Sequence, residues 1–189
     1  MRDPFLKLSK IIITLALFFI TSPVFAYQTV FMDFPGNWYK VNYVNNERDT
    51  IVQFVRKGYN RFNWEESVVF HSYKWTKEKH TSAKNLMYSL LNDVGKKNKT
   101  LKVEYIKVTP EDTLVSWCVD AQKDVPAHCE LLRTTQGFDG ALSMHYINKN
   151  TKQYKVVRNE WQTRISKATV YQNYYRLDRI LNKSMTFEL

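Results

Sequence analysis

The sequence predicts an α+β protein with a mostly antiparallel sheet of about six to seven strands. Short alternating or β-branched segments recur along the chain, as they do in half-buried strands. Most of their connections are too short for the crossovers that parallel strands need. Two stretches with helical apolar spacing, at about 81–94 and about 167–181, predict an amphipathic helix and a C-terminal helix that flank the sheet.

Residues 1–26 have the layout of a secretory signal peptide. A basic start precedes a ten-residue apolar run at 11–20, and Val24 and Ala26 suit a cut after residue 26. The run is shorter than the roughly 20 apolar residues that span a bilayer. We therefore expect a signal peptide at 1–26, a single α+β domain at 27–189 without a transmembrane segment, and a secreted or periplasmic location.

Three strands are expected in the first half of the domain, at 38–44, 50–56 and 67–75. In the first of them, Tyr39 and Tyr43 share one face because strand side chains alternate. The helix that follows has Thr81 or Ser82 as its N-cap and Gly95 near its end.

Four further strands are expected at 101–108, 113–120, 129–135 and 141–147. Residues 154–165 favour another strand or an irregular segment. Ser166 is placed to cap the last helix, in which an apolar stripe has helical spacing. The stripe consists of Val170, Tyr174, Leu177 and Leu181.

The segment Phe31-Met-Asp-Phe-Pro-Gly-Asn-Trp38 resembles the phenylalanine, proline and tryptophan lead-in of PsbP-like domains. The order of the later elements is also similar, over most of the mature chain. The resemblance implies an antiparallel sheet flanked by helices, in a family with diverse and mostly non-enzymatic roles. The abundance of Lys, Asn and Tyr, together with the short leader, is typical of small exported proteins of host-associated Gram-negative bacteria.

Cys118 and Cys129 are the two cysteines of the chain. Export would bring them into an oxidising compartment, where an even count indicates a disulfide. The alternative is a reactive Cys129 beside His128, but neighbouring strand residues point to opposite faces. We therefore predict a cross-strand bridge.

Charge points to anionic partners. The net charge is +10, of which the leader contributes +2. The remainder favours an anionic lipid surface, an anionic glycan or an acidic protein, while the compartment argues against nucleic acid. We find no nucleophile elbow, no metal-binding spacing and no phosphate-binding glycine loop, so no catalytic residue, metal or cofactor is predicted.

Two weaker patterns involve histidine. Ser143 and His145 would share a strand face, but such a pair is common by chance. His71 and His145 could meet across strands as zinc ligands, although His71 is also typical of a packed histidine. Neither pattern is taken as a site.

The candidate binding site is the loop after the second strand, in which cations alternate with aromatic side chains. Its residues are Arg56, Lys57, Tyr59, Arg61, Phe62 and Trp64. If these side chains are exposed, they suit insertion into a lipid interface, stacking on sugars or bases, or an interface with a protein partner. If the loop instead packs against the domain, its aromatic side chains only cover the edge of the core.

The sequence favours an exported, non-enzymatic binding protein, for example a secreted effector, with a basic and aromatic surface. Two alternatives stay open: a secreted hydrolase with a non-contiguous active site, and a periplasmic accessory subunit of an envelope complex. A histidine beside an acid in a cleft would favour the hydrolase.

Overall fold

The computed structural model describes residues 27–123, 125–138, 140–173 and 185–188. The predicted α+β class is confirmed: a large and a small antiparallel sheet are accompanied by helices. The predicted signal peptide lies outside the described residues.

The large sheet has seven antiparallel strands in the order β2-β3-β4-β8-β7-β6-β5. Its strands are β2 (Trp38–Asn45), β3 (Asp49–Arg56), β4 (Glu66–Tyr73), β5 (Lys102–Val108), β6 (Asp112–Val119), β7 (His128–Gly137) and β8 (Gly140–Asn148). Two meanders, β2–β4 and β5–β8, meet where β4 pairs with β8. The edge strands β2 and β5 each contain an irregularity in register, between Lys40 and Asn42 and between Tyr105 and Lys107.

The small sheet is antiparallel, with the order β10-β1-β9. Its strands are β1 (Tyr27–Met32), β9 (Thr169–Asn173) and β10 (Met185–Glu188). The strand β9 corrects the predicted boundaries of the C-terminal helix, because residues 169–173 pair with β1. Thr169, Val170 and Tyr171 are β-branched or aromatic, and such residues suit a strand. Residues 174–181 of the predicted helix lie outside the described residues.

The described residues contain three helices: α1 (Trp75–Glu78), α2 (Ala83–Lys97) and α3 (Thr151–Lys167). The helix α2 confirms the predicted amphipathic helix. The Ser82 hydroxyl accepts a hydrogen bond from the Asn85 N–H at 3.2 Å, and Leu86, Met87 and Leu91 are buried. The helix passes through Gly95 and ends two residues later.

The C-terminal helix, α3, lies earlier in the chain than predicted and replaces the strand or irregular segment expected at 154–165. Asn150 caps it by accepting from the Gln153 N–H at 3.0 Å. Its buried stripe is narrow, with Tyr154, Trp161 and Ile165. Because most of its other side chains are polar, the helical period is weak in the sequence.

Helices cover both faces of the large sheet. On one face, Trp161 of α3 stacks on Tyr146 of β8, with ring centroids 4.2 Å apart, and Trp38 contacts Trp161 edge-on at 5.3 Å. On the other face, Met87 and Leu91 of α2 pack in a cluster with Val115, Trp117, Val119 and Leu132. Successive residues of β6 alternate between these two cores, as the pleat requires.

The predicted disulfide is confirmed. Cys118 and Cys129 are bonded and are direct register partners of β6 and β7, with their Cα atoms 4.1 Å apart. Since both cysteines of the chain are in this bond, Cys129 is not available as the reactive thiol of the alternative hypothesis.

Replacing Trp161 with alanine should lower the free energy of unfolding by about 3–5 kcal/mol, because the ring is 1% exposed and its loss opens a cavity between three aromatic neighbours. Urea denaturation followed by circular dichroism measures the change. Val156→Ala on the same helix is the control: Val156 is 82% exposed, so its loss should cost no more than about 0.5 kcal/mol. Equal effects of the two variants would contradict the packing.

Replacing both cysteines with alanine should lower the free energy of unfolding by about 3 kcal/mol, since the bridge restricts the unfolded chain across a sequence separation of 11. Urea titrations with and without dithiothreitol measure the effect. Reductant should move the midpoint of the wild type and not that of the double variant. A wild-type midpoint that is insensitive to complete reduction would show that the bridge adds no stability.

Candidate functional site

The loop between β3 and β4 is ordered by Asn60. Its side-chain oxygen accepts hydrogen bonds from the N–H groups of Phe62, at 2.9 Å, and Asn63, at 3.0 Å. The Asn60 N–H donates to the Asn63 carbonyl at 3.1 Å. This turn places Arg61 and Phe62 at the tip of the loop, where a local hydrogen-bond network defines the backbone.

Four of the six candidate binding residues project from this loop. Phe62 is 78% exposed, and the Arg61 guanidinium lies 4.3 Å from the centroid of its ring. Lys57 is exposed. Tyr59 is 39% exposed, with its hydroxyl 3.4 Å from a Glu65 carboxylate oxygen. Phe62 and Arg61 thus form the tip of the loop, and Lys57 and Tyr59 are exposed earlier in the same loop.

The other two candidate residues contact the body of the domain. Arg56 is ion-paired with the carboxylate of Glu66, which is 3% exposed, and its guanidinium lies 5.5 Å from the Trp38 ring centroid. Trp64 is half-buried, and the Lys149 ammonium lies 3.8 Å from its ring centroid. A buried carboxylate needs a partner charge, so Arg56 stabilises Glu66, while its own side chain is 42% exposed.

A second cluster lies on the face of the large sheet that α2 covers in part. Cross-strand partners share a face, and His71 of β4 is opposite Ser143 of β8, which is opposite Thr134 of β7. The Thr134 hydroxyl donates to the Ala83 carbonyl of α2 at 2.7 Å, which identifies this face as the one beneath α2. Beyond the helix, the face has half-buried side chains of β3, β4 and β8: Ile51, Gln53, Val69, His71, His145 and Ile147.

Ser143, His145 and Glu130 form a continuous hydrogen-bonded chain on this face. Ser143 Oγ lies 2.6 Å from His145 Nε2, and His145 Nδ1 lies 2.6 Å from Glu130 Oε1. The side chains of His145 and Glu130 are 16% and 6% exposed, and Ser143 is fully buried. An ionised carboxylate only accepts hydrogen bonds, so Glu130 favours the tautomer with the proton on Nδ1, and Nε2 then accepts from the serine.

Two side chains of β4 extend this chain. The Tyr73 hydroxyl lies 3.4 Å from Ser143 Oγ, and burial raises the pKa of Tyr73 to about 12. This phenol therefore keeps its proton at neutral pH. The ring of His71 stacks on that of Tyr73 at 3.7 Å, and His71 Nε2 lies 3.0 Å from the Asp49 carboxylate.

Burial lowers the pKa of His71 below its ordinary value of 6.5, with a smaller contribution from the nearby His145. The Asp49 carboxylate acts in the opposite direction and does not compensate for the burial. His71 is therefore neutral at physiological pH in the folded protein.

Sequence reasoning considered Ser143 with His145 and missed Glu130. The structure brings the three together because β8 pairs with β7 in a register that places Glu130 diagonally opposite His145. The available signal was an acid in the apolar part of a strand, since Glu130 lies between Cys129 and the pair Leu131 and Leu132. Such an acid is expected to have a buried partner.

Metal binding and membrane spanning receive no support from the described part of the chain. Within residues 27–123, 125–138, 140–173 and 185–188, no group of three or more His, Cys, Asp or Glu side chains is arranged to hold a metal ion. In the same ranges, we find no helix with the length and apolar character needed to cross a membrane.

No model of a known protein family matches the sequence, and a search of curated proteins finds no match. The resemblance to PsbP-like domains thus stays a prediction, and function has to be argued from the residues themselves.

His71 should make the protein less stable in acid. Its lowered pKa means that the unfolded chain binds the proton more readily, so the free energy of unfolding should be highest above pH 6.5 and fall as the pH is lowered through that value. The groups that face this ring are Asp49 of β3, Tyr73 of β4, and Ser143 and His145 of β8. Urea titrations at about pH 5 and pH 7.5 measure the difference.

His71→Gln is the matched control for this prediction, because the amide can still donate to Asp49 and does not titrate. The variant should lose less stability in acid than the wild type does. An identical dependence of stability on pH in the two proteins would exclude His71 as its source.

Proposed function

We propose that the protein is exported and binds acidic membrane surfaces through the β3–β4 loop. The supporting observation is the position of Phe62, which is 78% exposed at the tip of an ordered turn. If the loop only covered the edge of the core, this ring would be packed. The Asn60 turn holds it in solvent, where an interface could take it up.

The charges around the tip favour an anionic surface. Arg61 lies over the Phe62 ring, Lys57 is exposed at the start of the same loop, and Lys149 lies over the Trp64 ring. Partial burial lowers the pKa of Lys149 below its ordinary value, because it removes water from the ammonium group. Of the acids nearby, Glu66 is neutralised by Arg56, and Glu65 is hydrogen-bonded to Tyr59. Cations close to an anionic leaflet each contribute about 1 kcal/mol.

An acidic lipid surface fits this loop better than the other anionic partners expected from the sequence. The Arg61 guanidinium lies over one face of the Phe62 ring, so the tip offers a sugar only the other face of a single ring. A protein interface anchors its hot spot in a wider patch, whereas the loop presents one exposed ring beside two cations. An apolar tip with a basic rim is the pattern of interfacial insertion.

The protein should sediment with vesicles that contain phosphatidylglycerol and not with pure phosphatidylcholine vesicles. Replacing Lys57 and Arg61 together with alanine should weaken binding roughly 30-fold, at about fivefold per cation, and added salt should weaken it further. Phe62→Ala should also weaken binding, because the ring would no longer enter the interface.

Tyr105→Ala is the matched control, since this ring is 54% exposed on the edge strand β5, away from the loop. It should bind as the wild type does. Absent vesicle binding, or binding that neither salt nor the loop variants alter, would overturn the proposal. Binding to heparin or to an acidic protein in place of vesicles would replace the lipid with a glycan or protein partner.

A further inference from the structure

The chain of Glu130, His145 and Ser143 has the order and spacing of a nucleophile, a base and an orienting acid. Both of its hydrogen bonds are 2.6 Å long, and the three side chains come from two neighbouring strands. A buried polar chain of this kind has to be fully satisfied to be tolerated. Here the hydrogen bonds run from a carboxylate to an imidazole and from the imidazole to a hydroxyl. This is the order in which a serine is activated as a nucleophile.

A donor for the developing negative charge stands at the end of the chain. The Tyr73 hydroxyl lies 3.4 Å from Ser143 Oγ and retains its proton at neutral pH. A tyrosine hydroxyl can serve as an oxyanion donor in acyl transfer. The tyrosine is held by its packing against Leu86 and Ala141, and the ring of His71, which is hydrogen-bonded to Asp49, stacks on it.

We propose that Ser143 is the nucleophile of a serine hydrolase site, with His145 as its general base, Glu130 as a positioning residue and Tyr73 as the oxyanion donor. This activity goes beyond the proposed membrane binding and does not depend on it. The substrate class is carboxylic esters with a small apolar acyl group. Next to the chain, the open face of the sheet offers the half-buried side chains of Ile51, Val69 and Ile147.

The reaction balances without a further reagent. Ser143 Oγ forms a bond to the ester carbonyl carbon while its proton passes to His145 Nε2, and Tyr73 donates to the oxyanion. The bond to the alkoxy oxygen then breaks, and His145 gives its proton to the leaving alcohol. Water attacks the acyl carbon, gives a proton to His145 and releases the acid, and the proton returns to Ser143.

Access to Ser143 requires a side-chain movement, because this residue is fully buried. Tyr73 and His71 lie beside it on β4, and the His71 side chain is 21% exposed. The substrate enters from the open face by displacing the His71 ring, while the packing of Tyr73 against Leu86 and Ala141 keeps its hydroxyl beside Ser143. Small acyl groups are favoured for the same reason.

The test is labelling of the purified protein by a small alkyl fluorophosphonate, together with hydrolysis of p-nitrophenyl acetate. Mass spectrometry should locate the phosphonyl group on Ser143 in the folded protein and find none after denaturation in urea. Ser143→Ala should abolish both reactions. Glu130→Gln should slow them by about 10²–10⁴-fold, because the amide no longer selects the tautomer.

Ser116→Ala is the matched control. Ser116 is a buried strand serine on the opposite face, hydrogen-bonded to Tyr154 at 2.7 Å, and its loss should change neither labelling nor hydrolysis. Thermal melting shows whether each variant is folded. If Ser143→Ala does not fold, Glu130→Gln and Tyr73→Phe provide the test, as both retain shape and should lower the labelling rate and alter its pH profile.

Two results would overturn the proposal. One is a folded wild type that is not labelled at Ser143 and hydrolyses no ester, and the other is a rate that Ser143→Ala or Glu130→Gln leaves unchanged. Either result would show that the chain only stabilises the sheet. The vesicle experiment stands apart, because the loop variants do not touch this face.

Discussion

The ladder between β4 and β8 is the interaction on which the rest of the structure depends. It joins two meanders that are separate in sequence, through eight register pairs from Glu66 with Asn148 to Tyr73 with Ala141. Without it, each meander would have one more open edge and half of a core. Because residues alternate along both strands, this single ladder supplies side chains to the cores on both faces.

The β4–β8 ladder assembles a buried polar group on the α3 face, and the β7–β8 ladder assembles one on the other face. On the α3 face, Glu66 is surrounded by Arg56, Tyr146 and Asn148, with the tyrosine hydroxyl 3.1 Å and the amide nitrogen 3.2 Å from Oε1. Its charge is neutralised, so the group is structural. On the other face, hydrogen bonds link the Glu130 carboxylate through the His145 imidazole to the Ser143 hydroxyl, which is the order that the proposed nucleophile requires.

The elements that the sequence predicted correctly are those with a clear pattern in a short segment of the chain. The stripe through Leu86 and Leu91 identified α2, and the oxidising compartment expected for the chain suggested its disulfide. The buried stripe of α3 is too narrow to give a clear helical period in the sequence. The segment from Val170 has helical apolar spacing, but in the structure it pairs with β1 as a strand. The loop with Phe62 was found because its residues are contiguous. Glu130 was not, since it meets His145 only through the pairing of β7 with β8, two strands whose residues are not contiguous at this point.

The irregular registers of the two edge strands have a consequence for the behaviour of the protein at high concentration. An open sheet edge is a template for another strand, and flat, regular edges promote aggregation. Both edges of the large sheet are interrupted next to a lysine, Lys40 in β2 and Lys107 in β5. A second copy that added a strand at either edge would lose hydrogen bonds at the interruption and bring lysines together. The irregular registers and the lysines thereby disfavour growth of the sheet by strand addition.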